Sequence, residues 1–296
     1  MGLDINAVHF LIAAHQRGAR FNEVLTIGRQ DLNVYPAKMA QVLERAGLPF
    51  ETFKAGGRET QYAEPFFSSL GAKKVDSLDA SDFEGAEFVH DLNKPIHPDW
   101  RERFDTVYDG GTLEHVFNFP AALQNCMEMV KVGGRLIIHT VANNWCGHGF
   151  YQFSPELFYR ALSPENGFEV ERMLVHAVGP YGRWFEVTDP NAIRSRVECL
   201  TFYPLHLMVQ GKRTKVAPIF AVAPQQSDYT PRWQDPTLAT GTAEKPAAFP
   251  PPARPRLSRF FPGVTRLLHV AKMAFNLYRN ESILWNRKCF HPVKKQ

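Results

Sequence analysis

The feature that most constrains the fold is the alternation of short apolar runs with helical patterns over about 200 residues. The apolar runs that we interpret as strands are residues 24–27, 74–78, 87–90, 105–108 and 135–141. Strands that alternate with helices are typical of parallel sheets, because the connection between parallel strands is usually a helix. The order therefore predicts an α/β fold with a mostly parallel sheet and helices on both faces.

Four of the predicted strands end at a residue suited to a ligand site. These residues are Gly28, Asp79, Asp91 and Asp109. The carboxyl ends of parallel strands meet at one edge of a sheet, and open α/β sheets bind their ligands in the crevice there. The series favours one binding site built from all four positions. The alternative is that glycine and aspartate only terminate the strands, as they do in most loops.

Residues 104–140 read FDTVYDGGTLEHVFNFPAALQNCMEMVKVGGRLIIHT. The segment contains a strand opening with FD, the tripeptide LEH, a helix, a Lys-x-Gly-Gly turn and an apolar strand. In this order it resembles the second half of class I S-adenosylmethionine-dependent methyltransferases, and the resemblance extends more weakly over residues 21–223. It implies a Rossmann-like seven-stranded sheet whose last strand is antiparallel. We expect residues 205–209 to be the sixth strand and residues 219–223 the seventh, paired as a hairpin.

The resemblance implies S-adenosylmethionine as cofactor and a role for each matching residue. Asp79 matches the acid that binds the ribose hydroxyls. Asp91, followed by Leu92, matches the acid near the adenine amino group, and Asp109 and Gly110 match the turn beside the methionine part. A carboxylate accepts hydrogen bonds from hydroxyls or an amine, and a glycine lets the backbone approach the ligand closely.

The loop after the first strand keeps the family's first glycine, at Gly28, but departs from the family's pattern elsewhere. Gln30 and Leu32 stand where glycines are usual, and Thr26 stands where an acid is usual. Two interpretations remain open. Arg29 and Gln30 supply polar groups to the methionine carboxylate and amine in place of backbone contacts, or the pocket is filled and the protein is a non-catalytic binding or scaffolding relative.

Residues 143–157, NNWCGHGFYQFSPEL, follow the fifth predicted strand at the edge of the crevice. Their histidine, aromatic and amide side chains are typical of a pocket wall. We expect His148 to act as general base, because the unperturbed pKa of histidine is about 6.5. The alternative is that His148 hydrogen-bonds the loop backbone. Tyr151 either donates to the acceptor or only packs. We expect His115 of the LEH tripeptide to hold the start of the helix, with a catalytic role as the alternative.

The predicted acceptor is a small molecule or a saccharide-linked metabolite. No nucleic-acid partner is expected, because the body of the chain contains no RNA-recognition signature and no basic-aromatic strip. The four cysteines form no CxxC pair, and no His/Cys cluster has zinc spacing, which predicts no metal site and a reduced, cytoplasmic setting. No apolar run approaches the roughly 20 residues of a transmembrane segment.

Charge divides the chain into an acidic body and a basic tail. Residues 254–296 contain ten lysines and arginines against one acid, a net charge of +9, whereas the whole chain has +4. The predicted parts are an N-terminal helix (1–20), a methyltransferase-like domain (21–224), a proline-rich linker (225–256) and a basic amphipathic helical tail (257–296). We expect the apolar face of the tail helix to dock on its own chain or a second subunit, with peripheral contact to an anionic membrane as the alternative.

Overall fold

The structure is a computed structural model that describes residues 2–49, 62–179, 182–193, 196–227, 229 and 262–295. The helices in these ranges are α1 (Ile5–Gln16), α2 (Pro36–Arg45), α3 (Glu64–Ser69), α4 (Phe119–Met129), α5 (Pro155–Ala161), α6 (Pro190–Ile193) and α7 (Pro262–Glu281). The strands are β1 (Glu23–Ile27), β2 (Lys74–Asp79), β3 (Phe88–Val89), β4 (Phe104–Asp109), β5 (Val130–Asn143), β6 (Phe168–Ala177), β7 (Trp184–Val187), β8 (Leu205–Arg213) and β9 (Phe290–Val293). Residues 230–256 of the predicted linker lie outside the described residues.

Within the described residues, one sheet of nine strands has the order β3-β2-β1-β4-β5-β8-β6-β7-β9. From β3 to β5 along this order, each neighbouring pair of strands is parallel. From β5 onward each neighbouring pair is antiparallel. The predicted Rossmann-like, mostly parallel centre is confirmed, whereas the predicted number of seven strands is wrong because β7 and β9 extend one edge.

The predicted hairpin near residue 211 is also wrong. Residues 219–223 form a turn and a bend instead of a strand. Phe220 has a φ of 58°, in the left-handed region, and its amide donates to Asn166 Oδ1 at 2.8 Å. The backbone therefore leaves the extended conformation in the middle of an apolar run. Residues 205–209 belong instead to β8, which lies between β5 and β6 and runs antiparallel to both.

Alternate residues of the central strands face two separate hydrophobic cores. On one face Leu25 and Leu136 pack with α4 and α5. On the other face Val24 and Ile137 pack with α1, α2 and α3. Successive side chains of a strand point to opposite faces, so a strand that is apolar at consecutive positions needs cover on both. The prediction of helices on both faces is confirmed.

The end of the chain joins the sheet. Strand β9 pairs antiparallel with β7, and the Lys295 ammonium donates to Asn6 Oδ1 at 2.8 Å. Before it, α7 contacts the body near its C-terminus, where Tyr278 stacks on Phe202 with ring centroids 4.6 Å apart. Along the rest of α7 the following apolar side chains are more than half exposed: Val264, Leu267, Leu268, Val270, Met273, Phe275 and Leu277. Cover for this face stays a prediction.

Across the described residues, the helices lack the combination of length and apolar character that crossing a membrane requires.

Candidate active site

The carboxyl ends of β1 and β4 lie side by side in the sheet. Gly28, directly after β1, has a φ of 70°, and its amide donates to Leu78 O at 2.7 Å. A β-carbon on Gly28 would lie 2.8 Å from Thr112 Oγ1. This backbone conformation and this contact both require glycine. We use the name strand-end crevice for the edge of the sheet at Gly28, Asp79 and Gly110, where the resemblance places the cofactor.

Gln30 folds its side chain back between the ends of β1 and β4. Its Nε2 donates to Ile27 O at 2.7 Å and to Gly28 O at 3.2 Å. Its Oε1 lies directly against Gly110 and receives no hydrogen bond from any residue that the structure describes. Gln30 is only 4% exposed. It therefore occupies the part of the crevice where the resemblance places the methionine portion, and it keeps one buried acceptor free.

Arg29 points in another direction from Gln30. Its Nε donates to Glu64 Oε1 at 2.7 Å, and its Nη1 donates to Glu84 O at 2.7 Å. The guanidinium also lies 4.0 Å from the centroid of the Tyr62 ring. Arg29 thus connects the loop after β1 with the start of α3 and the loop after β2. It lies on the side of the crevice where the resemblance places the ribose and adenine.

Asp109 ends β4 and is fully buried. Its Oδ1 accepts hydrogen bonds from the amides of Thr112 at 3.0 Å and Leu113 at 3.2 Å, while its Oδ2 has no partner. Burial, together with repulsion from Glu114, raises the pKa of Asp109 to about 8. The carboxyl is therefore mainly protonated at neutral pH. It holds the turn after β4 and presents no negative charge to the crevice.

Asp79, at the end of β2, is partly exposed beside the crevice. Its Oδ2 lies 3.7 Å from the position of a β-carbon on Gly28. Its Oδ1 accepts a hydrogen bond from the Ser81 amide at 3.3 Å. The carboxylate thus retains free acceptor positions at the crevice, as contact with two ribose hydroxyls would require.

Asp91 and Leu92 lie farther out, just beyond β3. The Asp91 side chain is 45% exposed, and its Oδ1 accepts from Asn93 Nδ2 at 2.7 Å and Asn93 N at 3.0 Å. These hydrogen bonds lower the pKa of Asp91 below its ordinary value. The Leu92 side chain is buried in the core, so Leu92 can meet a ligand only through its backbone. The structure gathers Gly28, Gln30, Asp79, Asp109 and Gly110 more closely than it does Asp91 and Leu92.

A buried carboxylate faces the predicted base. Glu114 is fully buried, its Oε2 accepts from Thr140 Oγ1 at 2.9 Å, and its Oε1 lies 3.6 Å from His148 Nε2. Burial lowers the pKa of His148 below its ordinary value of 6.5, although the Glu114 charge acts in the opposite direction. His148 is therefore neutral at pH 7, as a general base must be.

The loop with His148 is attached to the turn with Glu114 by backbone hydrogen bonds. The amides of Phe150 and Tyr151 donate to Glu114 O at 2.8 and 3.3 Å. Gly149 has a φ of 71°, and a β-carbon there would lie 2.7 Å from the same carbonyl oxygen. The close approach of these two segments therefore depends on glycine at position 149.

Aromatic side chains border the outer side of this loop. Phe117 and Phe150 are 73% and 65% exposed, and their ring centroids are 5.8 Å apart. The Tyr151 hydroxyl donates to Phe117 O at 2.6 Å, and the Tyr151 ring stacks on Phe153. The hydroxyl of Tyr151 thus has a backbone partner, while the exposed phenylalanine pair offers an apolar surface to a ligand.

A cavity of about 500 Å³ opens beyond the end of β5. Asn143 and Gln152 line it on the side of the His148 loop, and Leu277 and Glu281 of α7 line it on the other. The cavity provides room for part of an acceptor next to that loop.

His115 lies in the 3₁₀ turn Leu113–His115, ahead of α4, whose N-cap is Asn118. The ring centroid of His115 is 4.9 Å from that of His148. Ligand atoms of Glu114, His115 and His148 all lie within 4.8 Å of one another, so this group has the geometry to hold a metal ion. His115 is thus a neighbour of the predicted base and not the cap of the helix.

Sequence reasoning missed Glu114 and a histidine trio formed by His139, His176 and His206. Glu114 had a signal, because it stands in the LEH tripeptide directly after a strand end. The spacing of the three histidines gave no signal of a site, because they lie more than 25 residues apart in sequence. Only the pairing of β8 with both β5 and β6 brings them together.

Two curated proteins share a segment with this chain. The ubiquinone biosynthesis O-methyltransferases of Rhodopseudomonas palustris (strain BisB18) and Bradyrhizobium sp. (strain ORS 278) are 29% identical to it over 102 and 100 residues. The chain resembles methyltransferases in sequence. Each match covers 34% of this chain and only 38% of the relative's length. No family model matches the chain.

Solved methyltransferase structures can also be superposed on the chain. The 1,6-didemethyltoxoflavin-N1-methyltransferase of Burkholderia thailandensis is 15% identical, with a TM-score of 0.37 over 70% of this chain and 77% of that one. The trans-methyltransferase CalH, in complex with SAH, is 13% identical, with a TM-score of 0.37 over 69% of this chain and 55% of that one. Because both TM-scores are low, the fold assignment depends on the sheet order itself.

Proposed function

We propose that this protein transfers a methyl group from S-adenosylmethionine to a hydroxyl group of a small-molecule or saccharide-linked acceptor. The observation that carries the proposal is the Glu114–His148 pair, whose facing atoms are 3.6 Å apart beside the strand-end crevice. A hydroxyl is a weak nucleophile until it loses its proton, so its methylation calls for a base in this position. The O-methyltransferase names of the curated relatives agree with a hydroxyl acceptor.

The residues of the strand-end crevice fit this cofactor chemically. Asp79 offers free carboxylate oxygens to the ribose hydroxyls. Gln30 Oε1 is a buried acceptor without a donor, and the amino group of the methionine portion supplies N–H donors. Asp79 would therefore hold the ribose and Gln30 the amino group. When bound, the cofactor supplies a methyl carbon activated by its sulfonium.

His148 takes the proton of the acceptor in this mechanism. The tautomer with a proton on Nε2 directs that N–H toward Glu114 Oε1 and leaves the Nδ1 lone pair for the acceptor hydroxyl. When Nδ1 accepts the proton, the Glu114 carboxylate stabilises the imidazolium that forms. Thr140 fixes the other oxygen of Glu114. Glu114 is thus a positioning residue, and a contact of 3.6 Å can shorten when the acceptor binds.

The surroundings of His148 favour an acceptor with an apolar part. The exposed rings of Phe117 and Phe150 border the loop on one side. The cavity beyond β5 has a volume of about 500 Å³, within the range of small-molecule sites. We therefore propose a hydroxylated small molecule with an aromatic or aliphatic portion as the first acceptor class to test, ahead of a saccharide.

A non-catalytic binding or scaffolding role is the second candidate. The observation in its favour is the position of Gln30, whose side chain already fills the space beside Gly110. In that case the side chain blocks the crevice and no cofactor binds.

Methyl transfer from isotope-labelled S-adenosylmethionine to a panel of phenols and catechols tests the proposal. His148→Gln should lower kcat by about 10²–10⁴ and leave cofactor affinity unchanged, because the base acts on the acceptor. His97→Gln, whose side chain is 61% exposed, is the matched control and should keep full activity. The acid limb of the pH–rate profile should lie below pH 6.5 and move lower in Glu114→Gln, since the Glu114 charge raises the pKa of His148. Absence of cofactor binding, together with no transfer to any acceptor, would favour the second candidate.

A further inference from the structure

The histidine trio lies on three neighbouring strands, away from the Glu114–His148 pair. His139 is on β5, His176 on β6 and His206 on β8, and His176 and His206 are direct cross-strand partners. They are 2%, 0% and 6% exposed. Potential ligand atoms of all three lie within 4.8 Å of one another. Three imidazoles buried together in a sheet are unusual, because burying their polar nitrogens costs free energy unless the nitrogens are paired.

Among the described residues, hydrogen bonding leaves half of the six ring nitrogens without a partner. His176 Nδ1 lies 2.8 Å from Ala177 O and donates to it, which directs the lone pair of His176 Nε2 toward the trio. His139 Nε2 lies 3.2 Å from that atom. His139 Nδ1 and both ring nitrogens of His206 have no partner. A buried polar group without a partner destabilises the fold, so the site calls for a ligand that accepts imidazole lone pairs.

We propose that the histidine trio binds one divalent transition-metal ion of the Zn²⁺ type. Nitrogen ligands about 2.0–2.1 Å from a tetrahedral ion are about 3.3–3.4 Å from each other, close to the distance between His139 Nε2 and His176 Nε2. A ring nitrogen of His206 lies within 4.8 Å of the ligand atoms of the other two histidines and would move toward them to complete the set. Three ligands leave the fourth position of the ion to a water molecule. Imidazole selects Zn²⁺, Co²⁺, Ni²⁺ or Cu²⁺ over Mg²⁺ and Ca²⁺, which prefer oxygen.

The chemistry around the trio supports ion binding. The bond from His176 Nδ1 to a backbone carbonyl is the usual outer partner of a metal-binding histidine. Asp4 interacts electrostatically with all three histidines and supplies a negative charge, whereas Lys295 near His176 opposes it.

The position of the site would let a bound ion connect several elements of the fold. Asp4 also caps α1, since its Oδ1 accepts from the amides of Asn6 at 2.9 Å and Ala7 at 2.8 Å. Asn6 in turn accepts from Trp184 Nε1 on β7 at 3.1 Å. An ion there would join β5, β8 and β6 beneath the start of α1. Trp145 stacks on His206 with centroids 5.0 Å apart and lies 5.5 Å from His148, so the site also supports the loop of the predicted base.

Co²⁺ titration of the untagged, chelator-treated full chain tests the proposal. We expect one Co²⁺ per chain with the intense visible absorption of a tetrahedral nitrogen site, displaced by Zn²⁺ but not by Mg²⁺. His139→Gln and His206→Gln should each weaken Zn²⁺ affinity by more than about 100-fold, because loss of an outer partner alone costs about 10–100-fold. The double variant His115→Gln/His148→Gln is the control and should keep the Co²⁺ spectrum.

Thermal unfolding of the wild type supplies a readout that does not depend on the variants folding. Zn²⁺ should raise Tm, and equimolar Mg²⁺ should not, because an ion that binds only the folded state stabilises it. The proposal is overturned if the wild type binds no stoichiometric Co²⁺ or Zn²⁺. It is also overturned if the spectrum persists in folded His206→Gln and disappears in the control.

Discussion

Gln30 Oε1 lies directly against the backbone of Gly110, and no side chain at position 110 fits beside it. The two residues belong to the loops after β1 and β4, the central neighbours of the parallel part of the sheet. A glutamine amide thus takes a place that a glycine loop would leave open. The relationship has two opposite functional meanings, since Gln30 either contacts the cofactor or excludes it.

Replacing Gln30 with leucine distinguishes a residue that contacts the cofactor from one that excludes it. In our account Gln30→Leu removes the acceptor for the cofactor's amino group and weakens S-adenosylmethionine binding by about 1.5–3 kcal/mol, the value of a hydrogen bond to a charged group. Ile27 O keeps the hydrogen bond from Thr112 Oγ1, so the strand end should remain intact. Calorimetric titration measures the change. Tighter binding in this variant would show that Gln30 excludes the ligand.

The attachment of the His148 loop to Glu114 predicts different effects at two nearby glycines. Gly149→Ala places a β-carbon 2.7 Å from Glu114 O at a φ of 71°, so it should lower stability by about 1–3 kcal/mol and reduce turnover. Gly147→Ala meets no atom within 4 Å and should change neither quantity appreciably. Urea unfolding and steady-state kinetics of both variants test this. Equal behaviour of the two would mean that the loop does not depend on this contact.

Asp109 should give the protein a pH-dependent stability. Its folded-state pKa of about 8 lies above the ordinary value of 3.8, so the folded state binds more protons than the unfolded state between these values. Stability therefore falls as pH rises from about 4 to about 8, by at most about 1.4 kcal/mol per pH unit. Asp109→Asn cannot ionise and should lose this contribution.

Urea unfolding of the wild type and of Asp109→Asn between pH 5 and pH 8.5 measures the contribution of Asp109 to stability, because all other titrating groups are common to the two proteins. As pH rises, the free energy of unfolding of the wild type should fall relative to that of Asp109→Asn, by at most about 1.4 kcal/mol per pH unit. A difference that stays constant across this range would contradict a raised pKa at Asp109.

The central sheet could be predicted from the sequence because local signals agree with the final structure there. Predicted strands at 24–27, 74–78 and 105–108 each overlap an observed strand, and Gly28, Asp79 and Asp109 stand at the strand ends as expected. In this region each apolar run is followed by a residue that stops it. Parallel topology then places these ends along one edge without further information.

Features that depend on distant pairing could not be predicted. The apolar run at 219–223 reads as a strand, but Phe220 has a left-handed backbone and its amide donates a hydrogen bond to Asn166 Oδ1, which prevents strand formation. Strand β9 exists because β7 offers an unpaired edge more than 100 residues earlier in the chain. The inward fold of Gln30 and the meeting of the histidine trio likewise follow from tertiary contacts that no spacing in the sequence encodes.

Calorimetric titration of the full chain with S-adenosylmethionine and its demethylated product tests the central claim most directly. We predict one site per chain and a loss of about 1.5–3 kcal/mol in Asp79→Ala, because Asp79 accepts from the ribose hydroxyls. Asp82→Ala, an exposed acid in the same loop, should bind as the wild type does. If the wild type binds neither ligand at about 1 mM, where even a weak complex of about −4 kcal/mol would be half formed, the account of this protein as a methyltransferase is contradicted.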